Sequence, residues 1–245
     1  MLVFLGALVF LVALLYSSVG HGGASGYLAV TSLFAVAPRE MATTALLLNV
    51  LVAGTALVSY TTAHYFKPRM FLQFTLPAVP AAFLGGLLHL PAHWYSLLLA
   101  VALTFAAARL SLLNRSAMSE PPTRRPTWRW SVPTGAGIGL VSGMVGVGGG
   151  IFLSPLALLR RWATVKETAA VSAAFIVANS LSGLAGRLVS GNFETGGLLM
   201  LVPVAFAGGV IGSYLGARRA SPRLLRFGVV VVLMVAAAKL IIALL

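Results

Sequence analysis

Long apolar stretches separated by short polar ones run the whole length of this chain. The apolar stretches cover residues 2–37, 41–63, 70–90, 95–113, 132–159, 166–189, 197–217 and 224–245. A helix needs roughly 20 residues to cross the hydrocarbon core of a bilayer. Six of the stretches match one crossing each. The first and the fifth are too long. As one straight helix the first would reach roughly 54 Å at 1.5 Å per residue. Glycines also cut both, as GHGGASG at residues 20–26 and GVGGG at residues 146–150. Each therefore predicts two shorter helices joined at a break.

The strongly polar connector is residues 114–131, NRSAMSEPPTRRPTWRWS. Its prolines and four arginines predict a linker lying on a membrane surface, with Trp128 and Trp130 as interface anchors. It separates residues 1–113 from 132–245, and these two parts follow one plan. VGHGG (19–23) matches VGVGG (145–149) at an offset of 126, and Pro77 and Gly86 match Pro203 and Gly212 at the same offset. Arg39-Glu40 matches Lys166-Glu167 at 127, and Pro91 pairs with Pro222 after a short insertion. Ordered matches at a nearly constant offset predict an internal repeat.

Charge then predicts orientation, because short basic loops face the cytoplasm. The connector reads inside, and so do Lys67 and Arg69, Arg160 to Lys166, and the cluster Arg218, Arg219 and Arg223. The loops at 90–94 and 190–196 carry no Lys or Arg and read outside. Arg39 and Arg187 stand against this bias. Equivalent loops of the two parts carry opposite bias, as inverted repeats require. Each repeat then holds a Gly-broken helical hairpin plus three transmembrane helices, the first hairpin opening outward and the second inward. Eight single spans in parallel repeats are the competing arrangement.

The composition fits an all-α, polytopic membrane protein, with 59% hydrophobic residues, 9% charged residues and a mean hydropathy of +0.99. There is no Cys and no Asp, and the four Glu (Glu40, Glu120, Glu167, Glu194) lie near segment ends or in the linker. Disulfides, thiolate metal sites and clustered acid–base or nucleophilic enzyme chemistry are thereby disfavoured. Nothing calls for a cofactor. The net charge of +13 sits at the ends of apolar segments, so it speaks for helix orientation and anionic headgroups rather than a nucleic-acid partner. The apolar N-terminus lacks a basic n-region and runs straight into the first Gly motif. It reads as a retained membrane segment, not a signal peptide.

Non-helical backbone is tolerated at membrane depth only where protein buries it or a polar cavity adjoins it. Glycine-rich breaks expose N–H groups that form anion-binding nests, and the helix restarting after each break points its positive end there. Gly20, Gly22, Gly23, Gly146, Gly148, Gly149 and Gly150 would meet near the midplane with the hydroxyls of Ser17, Ser18, Ser25, Ser142 and Ser154. No acid is near to repel a negative charge, so a small anion fits. The plainer alternative is close helix packing through small residues. His21 is a proton carrier, an anion ligand or a simple carbonyl partner. Asn49 and Asn179, each in the helix after a hairpin, either coordinate substrate or join helices. Glu40 and Glu167 read as first-turn dipole partners. His64, His89 and His93 read as interfacial, and Arg109 as snorkelling toward the linker.

SSVGHGGASGYLAV (17–30), TALLLNVLVAG (44–54), VGVGGGIFLSPLAL (145–158) and FIVANSLSGLAG (175–186) resemble the sulfite exporter TauE/SafE family of membrane transporters. The resemblance covers nearly the whole chain. It implies secondary transport, usually outward, of sulfite, sulfonates or related anions across a bacterial inner membrane. It carries over Gly20, Gly22, Gly23, Gly146, Gly148, Gly149, Gly150 and Pro155 as site residues. This chain has Ala29 where Pro155 would be matched, and His21 in place of Val147, so the two hairpins are not equivalent. The expected partners are a small anion, the lipid bilayer and, through His21, protons. An anion channel, a membrane-embedded enzyme and a structural subunit are the alternatives.

Overall fold

The computed structural model describes residues 2–32, 34, 36–88 and 124–219, with scattered positions between 91 and 108. The stretches at 95–113 and 224–245, most of the 114–131 linker, His89, Arg109, Glu120, Pro222 and Arg223 lie wholly or mostly outside the described residues. The described chain is helical. In order come α1 (Leu2–Ser17), α2 (Ala24–Ser32), α3 (Pro38–Thr62), α4 (Pro68–Leu87), α5 (Trp128–Val145), α6 (Gly150–Leu159), α7 (Val165–Val189), a short 3-10 turn (Gly196–Leu201) and α8 (Val202–Arg218). Four of the described helices are long and apolar enough to cross a membrane: Arg39–Thr62, Pro68–Leu87, Val165–Val189 and, with the 3-10 turn included, Gly196–Arg218.

Local sequence explains where these helices start and stop. Pro38 and Pro68 open α3 and α4, where a missing N–H costs nothing, and the residues before them are extended. Thr164 and Glu167 form a reciprocal capping box at the start of α7. α5 ends where Gly146 turns left-handed, with φ 86°. The breaks are narrower than the glycine runs predict. Residues 18–23 separate α1 from α2, so Gly26 is helical and packs against Val12 and Tyr16. Likewise 146–149 separate α5 from α6, and Gly150 is the first residue of α6.

Small residues set the packing, as membrane helices require in the absence of a hydrophobic drive between them. Gly135, Gly139 and Gly143 of α5 lie on the backbone at Phe74, Ala78 and Ala82 of α4. Gly208, Gly212 and Gly216 of α8 lie on Phe10, Leu14 and Ser18 in and just after α1. A Cβ on most of these glycines would collide with a carbonyl. Both series rise together, so α4 runs parallel to α5, and α1 to α8. Ser182 of α7 donates to the Val79 carbonyl over 2.6 Å, and Gly186 lies at Phe83, so α7 also runs with α4. Val52 of α3 faces Gly209, and Ser59 bonds Ser213 over 3.0 Å, so α3 runs with α8. The long central helices α3 and α7 oppose each other. Leu46 faces Gly183, while Ala56 and Tyr60 cluster with Ala169, Ala170 and Ala173.

Two consecutive long helices running the same way need a return leg between them, and α2 and α6 supply it. Ser25 bonds the Tyr16 hydroxyl and Gly26 meets Val12, so α2 doubles back along α1. Gly150 packs on Ile176 and Ser154 bonds Ser172, so α6 runs against α7. Large apolar side chains such as Val58, Leu76, Leu84, Leu181 and Phe206 face outward, whereas Ser, Thr and Asn are buried. That inside-out distribution suits a lipid surround.

The two ends of the bundle differ in charge. At one end Lys67 pairs with Glu167 over 2.8 Å, Lys166 donates to the Ala217 carbonyl, and Lys67, Arg69, Arg124 and Arg125 surround a cavity of about 500 Å³. At the other end Arg39 faces Glu194 at 3.7 Å, Thr43 bonds the Asn192 carbonyl, and Glu40 lies against Gly196.

Candidate functional site

The two breaks meet inside the bundle, and Asn49 ties them together. Its side-chain oxygen accepts the Ala24 N–H at the start of α2 over 3.0 Å. Its side-chain nitrogen donates to the Val147 carbonyl in the second break over 3.3 Å. One amide thus satisfies an orphan donor of a helix N-terminus and an acceptor of the opposing break. The fit leaves no slack. A Cβ on Gly22 or on Gly148 would fall on the Asn49 amide itself.

Left-handed backbone makes the turns possible. Gly20 and Gly23 have φ of 78° and 93°, and Gly146, Gly148 and Gly149 have 86°, 76° and 82°. The left-handed Gly149 followed by the helical Gly150 is the alternation that turns successive N–H groups toward one concavity, at the positive end of α6. Gly20 packs on the backbone of Ala169 in α7, and Gly146 on Ala42 in α3. Each break is therefore seated against the central helix of the other part of the chain.

His21 anchors a polar chain that crosses between the breaks. Its Nδ1 lies 3.0 Å from the Val19 carbonyl, its Nε2 lies 3.1 Å from the Ser154 hydroxyl, and Ser154 lies 2.7 Å from Ser172. A carbonyl only accepts, so in the neutral ring Nδ1 carries the proton and Nε2 accepts from Ser154. Pro155 follows Ser154 within α6 and is buried.

Against the second break stand polar groups without protein partners. Among the described residues, both polar atoms of Asn179 and the hydroxyls of Ser180 and Ser142 are buried and unbonded. A Cβ on Gly149 would meet the Asn179 nitrogen at 3.3 Å, and one on Gly148 would meet the Ser180 hydroxyl at 3.2 Å. At the first break the buried Tyr27 hydroxyl is likewise unbonded beside Gly23.

The expected residues therefore divide. Gly22, Gly23, His21, Asn49, Gly148, Gly149, Gly150, Asn179 and Pro155 gather around the two breaks. Ser18 and Ser25 are close but engaged: Ser18, just after α1, donates to the Leu15 carbonyl of that helix, and Ser25 to Tyr16 over 3.0 Å. Ser172, Ser180, Tyr16 and Tyr27 complete the surroundings and were not among the expected residues. Ser172, Asn179 and Ser180 share one face of α7 at spacings of seven and eight, which is the periodicity that points to the two serines. Glu167 caps α7 and pairs with Lys67, and His64 lies after α3 with a positive φ of 63°. Among the described residues no three His, Asp or Glu side chains gather to hold a metal ion.

These features define a polytopic helical membrane protein with two broken helices meeting in its interior, the arrangement of transporters. The model of the sulfite exporter TauE/SafE family matches residues 5–240. The chain is also 36% identical, over 234 residues and 95% of each chain, to the probable membrane transporter protein y4hK of Sinorhizobium fredii. No solved structure matches it. The protein belongs to the sulfite exporter TauE/SafE family. It is an integral membrane transporter and not an enzyme.

Proposed function

We propose that this protein exports a small sulfur-containing oxyanion (sulfite, a sulfonate or a relative) across the bacterial inner membrane by alternating access, binding it between the two breaks. The observation that carries the site is the unpartnered Asn179 amide and Ser180 hydroxyl against Gly148 and Gly149. A buried polar group left unsatisfied costs roughly 1–3 kcal/mol. An oxyanion accepting from Asn179, Ser180 and the N–H groups at Gly149 and Gly150 relieves that cost. The family name supports the sulfur anion.

Inverted repeats are the framework of this reading. The opposed direction of α3 and α7, helices at matching places in the repeat, supports inversion. So does the swapped pairing of α1 with α8 and α5 with α4. The basic end, with Lys67, Arg69, Arg124 and Arg125, is the cytoplasmic one by the bias of basic loops. Protons are the coupling ion. Protonation of His21 at Nε2 makes that nitrogen a donor and reverses the Ser154–Ser172 chain, so the ring's charge and hydrogen bonding change together.

The test is uptake of sulfite, thiosulfate, sulfate and ethanesulfonate by purified protein in proteoliposomes. Saturable flux of at least one is expected, driven by a pH gradient in wild type and indifferent to it in His21→Gln. Asn179→Leu removes the unsatisfied amide and keeps the volume. It is expected to fold at least as stably as wild type and to lose transport at least tenfold. Normal transport by Asn179→Leu sinks the site, and flux that never saturates indicates a channel.

A further inference from the structure

The two breaks are closed by the same hydrogen bond made with different chemistry. The Tyr60 hydroxyl donates to the Ser18 carbonyl over 2.7 Å. The Arg187 guanidinium donates to the Met144 carbonyl over 2.8 Å and to the Gly143 carbonyl over 3.2 Å. Tyr60 and Arg187 stand 127 residues apart, and Ser18 and Met144 stand 126 apart, the offsets at which the repeated motifs match. Each side chain covers carbonyls at the C-terminal end of the helix that leads into a break. One cover is neutral and the other is a cation. Arg187 is only 5% exposed. Burying that charge is costly, and a tyrosine makes the equivalent bond without it. The same kind of helix end is thus covered once without a charge and once with one.

The charge has an electrostatic consequence at the second break. The C-terminal end of a helix carries about half a negative charge. In α5 that end lies at Val145, next to Gly146 and within the turn that presents Gly148 and Gly149 to Asn179 and Ser180. Left alone, it would repel an anion at the place where donors gather. A guanidinium on its last carbonyls reverses the sign. Arginine holds its charge at every physiological pH, and away from water that charge is weakly screened.

We propose that Arg187 is the fixed countercharge of the anion site, a positioning residue that makes the second break, and not the first, the attractive one. This rests on the site reading above. Arg187→Tyr transplants the neutral donor of the other break, and Arg187→Lys keeps the charge with a different shape. In the proteoliposome assay with the same four anions, KM for the transported anion is expected to rise at least tenfold in Arg187→Tyr. The maximal rate is expected to change less. In Arg187→Lys, KM is expected to return to within a few-fold of wild type. If Arg187→Tyr does not fold, Arg187→Gln carries the same expectation. A neutral variant with wild-type KM, or a lysine variant as impaired as the neutral one, overturns the countercharge. Normal transport by Asn179→Leu, or no flux of any of the four anions in wild type, defeats the underlying site instead.

Discussion

The two breaks share left-handed glycines at matching places, Gly20 with Gly146 and Gly23 with Gly149, and differ in what fills them. Around the first stand rings: Tyr16 and Tyr27 are buried, and His21 meets Tyr16 edge-on at 6.5 Å between centroids. Around the second stand Asn179, Ser180 and Ser142, small polar side chains with no partner among the described residues. The contrast extends to single positions. His21, Ser154 and Ser172 form a polar chain. At the matching offsets stand Val147, Leu28 and Ala45, all three in one apolar cluster. Asn49 is satisfied at both ends, whereas Asn179 is satisfied at neither. One asparagine ties the two breaks together, and the other faces the second break with its polar atoms unbonded among the described residues.

That division can be broken by substitution. The largest effect is expected from Asn49→Leu, which leaves the Ala24 N–H and the Val147 carbonyl unsatisfied. At roughly 1–3 kcal/mol for each orphaned group, the loss is about 2–6 kcal/mol, read as a lower Tm in detergent with transport abolished. An unchanged Tm would show that the tie carries no load. Asn179→Leu is expected to do the opposite, keeping or raising Tm while transport falls, and a shared phenotype would erase the distinction. Gly148→Ala should lie between them. The left-handed conformation costs an L-residue roughly 1–2 kcal/mol, and its Cβ would also displace the Asn49 amide. Ser172→Ala detaches the far end of the polar chain; about 1 kcal/mol of stability and part of the response to a pH gradient should go with it. The smallest effect belongs to Tyr60→Phe. It removes one neutral hydrogen bond, about 0.5–1.5 kcal/mol, and should leave the KM for the anion unchanged. A raised KM there would make the two caps alike.

The breaks were legible in the sequence because two signals coincide there, a span too long to cross once and glycines where a helix gains nothing from them. The segregation of basic side chains was legible because loop charge is local. Break limits were less so. Gly26 looks like Gly23 on paper, and only contact with Val12 and Tyr16 shows it to be a packing residue within α2. Tyr16 and Tyr27 passed as members of apolar runs, since an aromatic in a membrane segment reads as hydrophobic until its hydroxyl is located. Ser172 and Ser180 were lost among the small residues of α7. The role of Asn49 depends on a partner 98 positions away, and no local pattern encodes that.

Lys67 and Glu194 stand 127 residues apart, and each closes an ion pair with the start of a central helix: Lys67 with Glu167, and Glu194 with Arg39. Under the inverted-repeat reading they are one position with its sign reversed. On that reading Lys67, which pairs across the two halves over 2.8 Å, also lies in a short basic loop of the kind that biases its half to insert with that loop inside. Orientation and assembly are then written in the same residue. A charge swap at Lys67 would be felt first during biogenesis, as a mis-threaded half, before it was felt as a weaker contact in the finished protein.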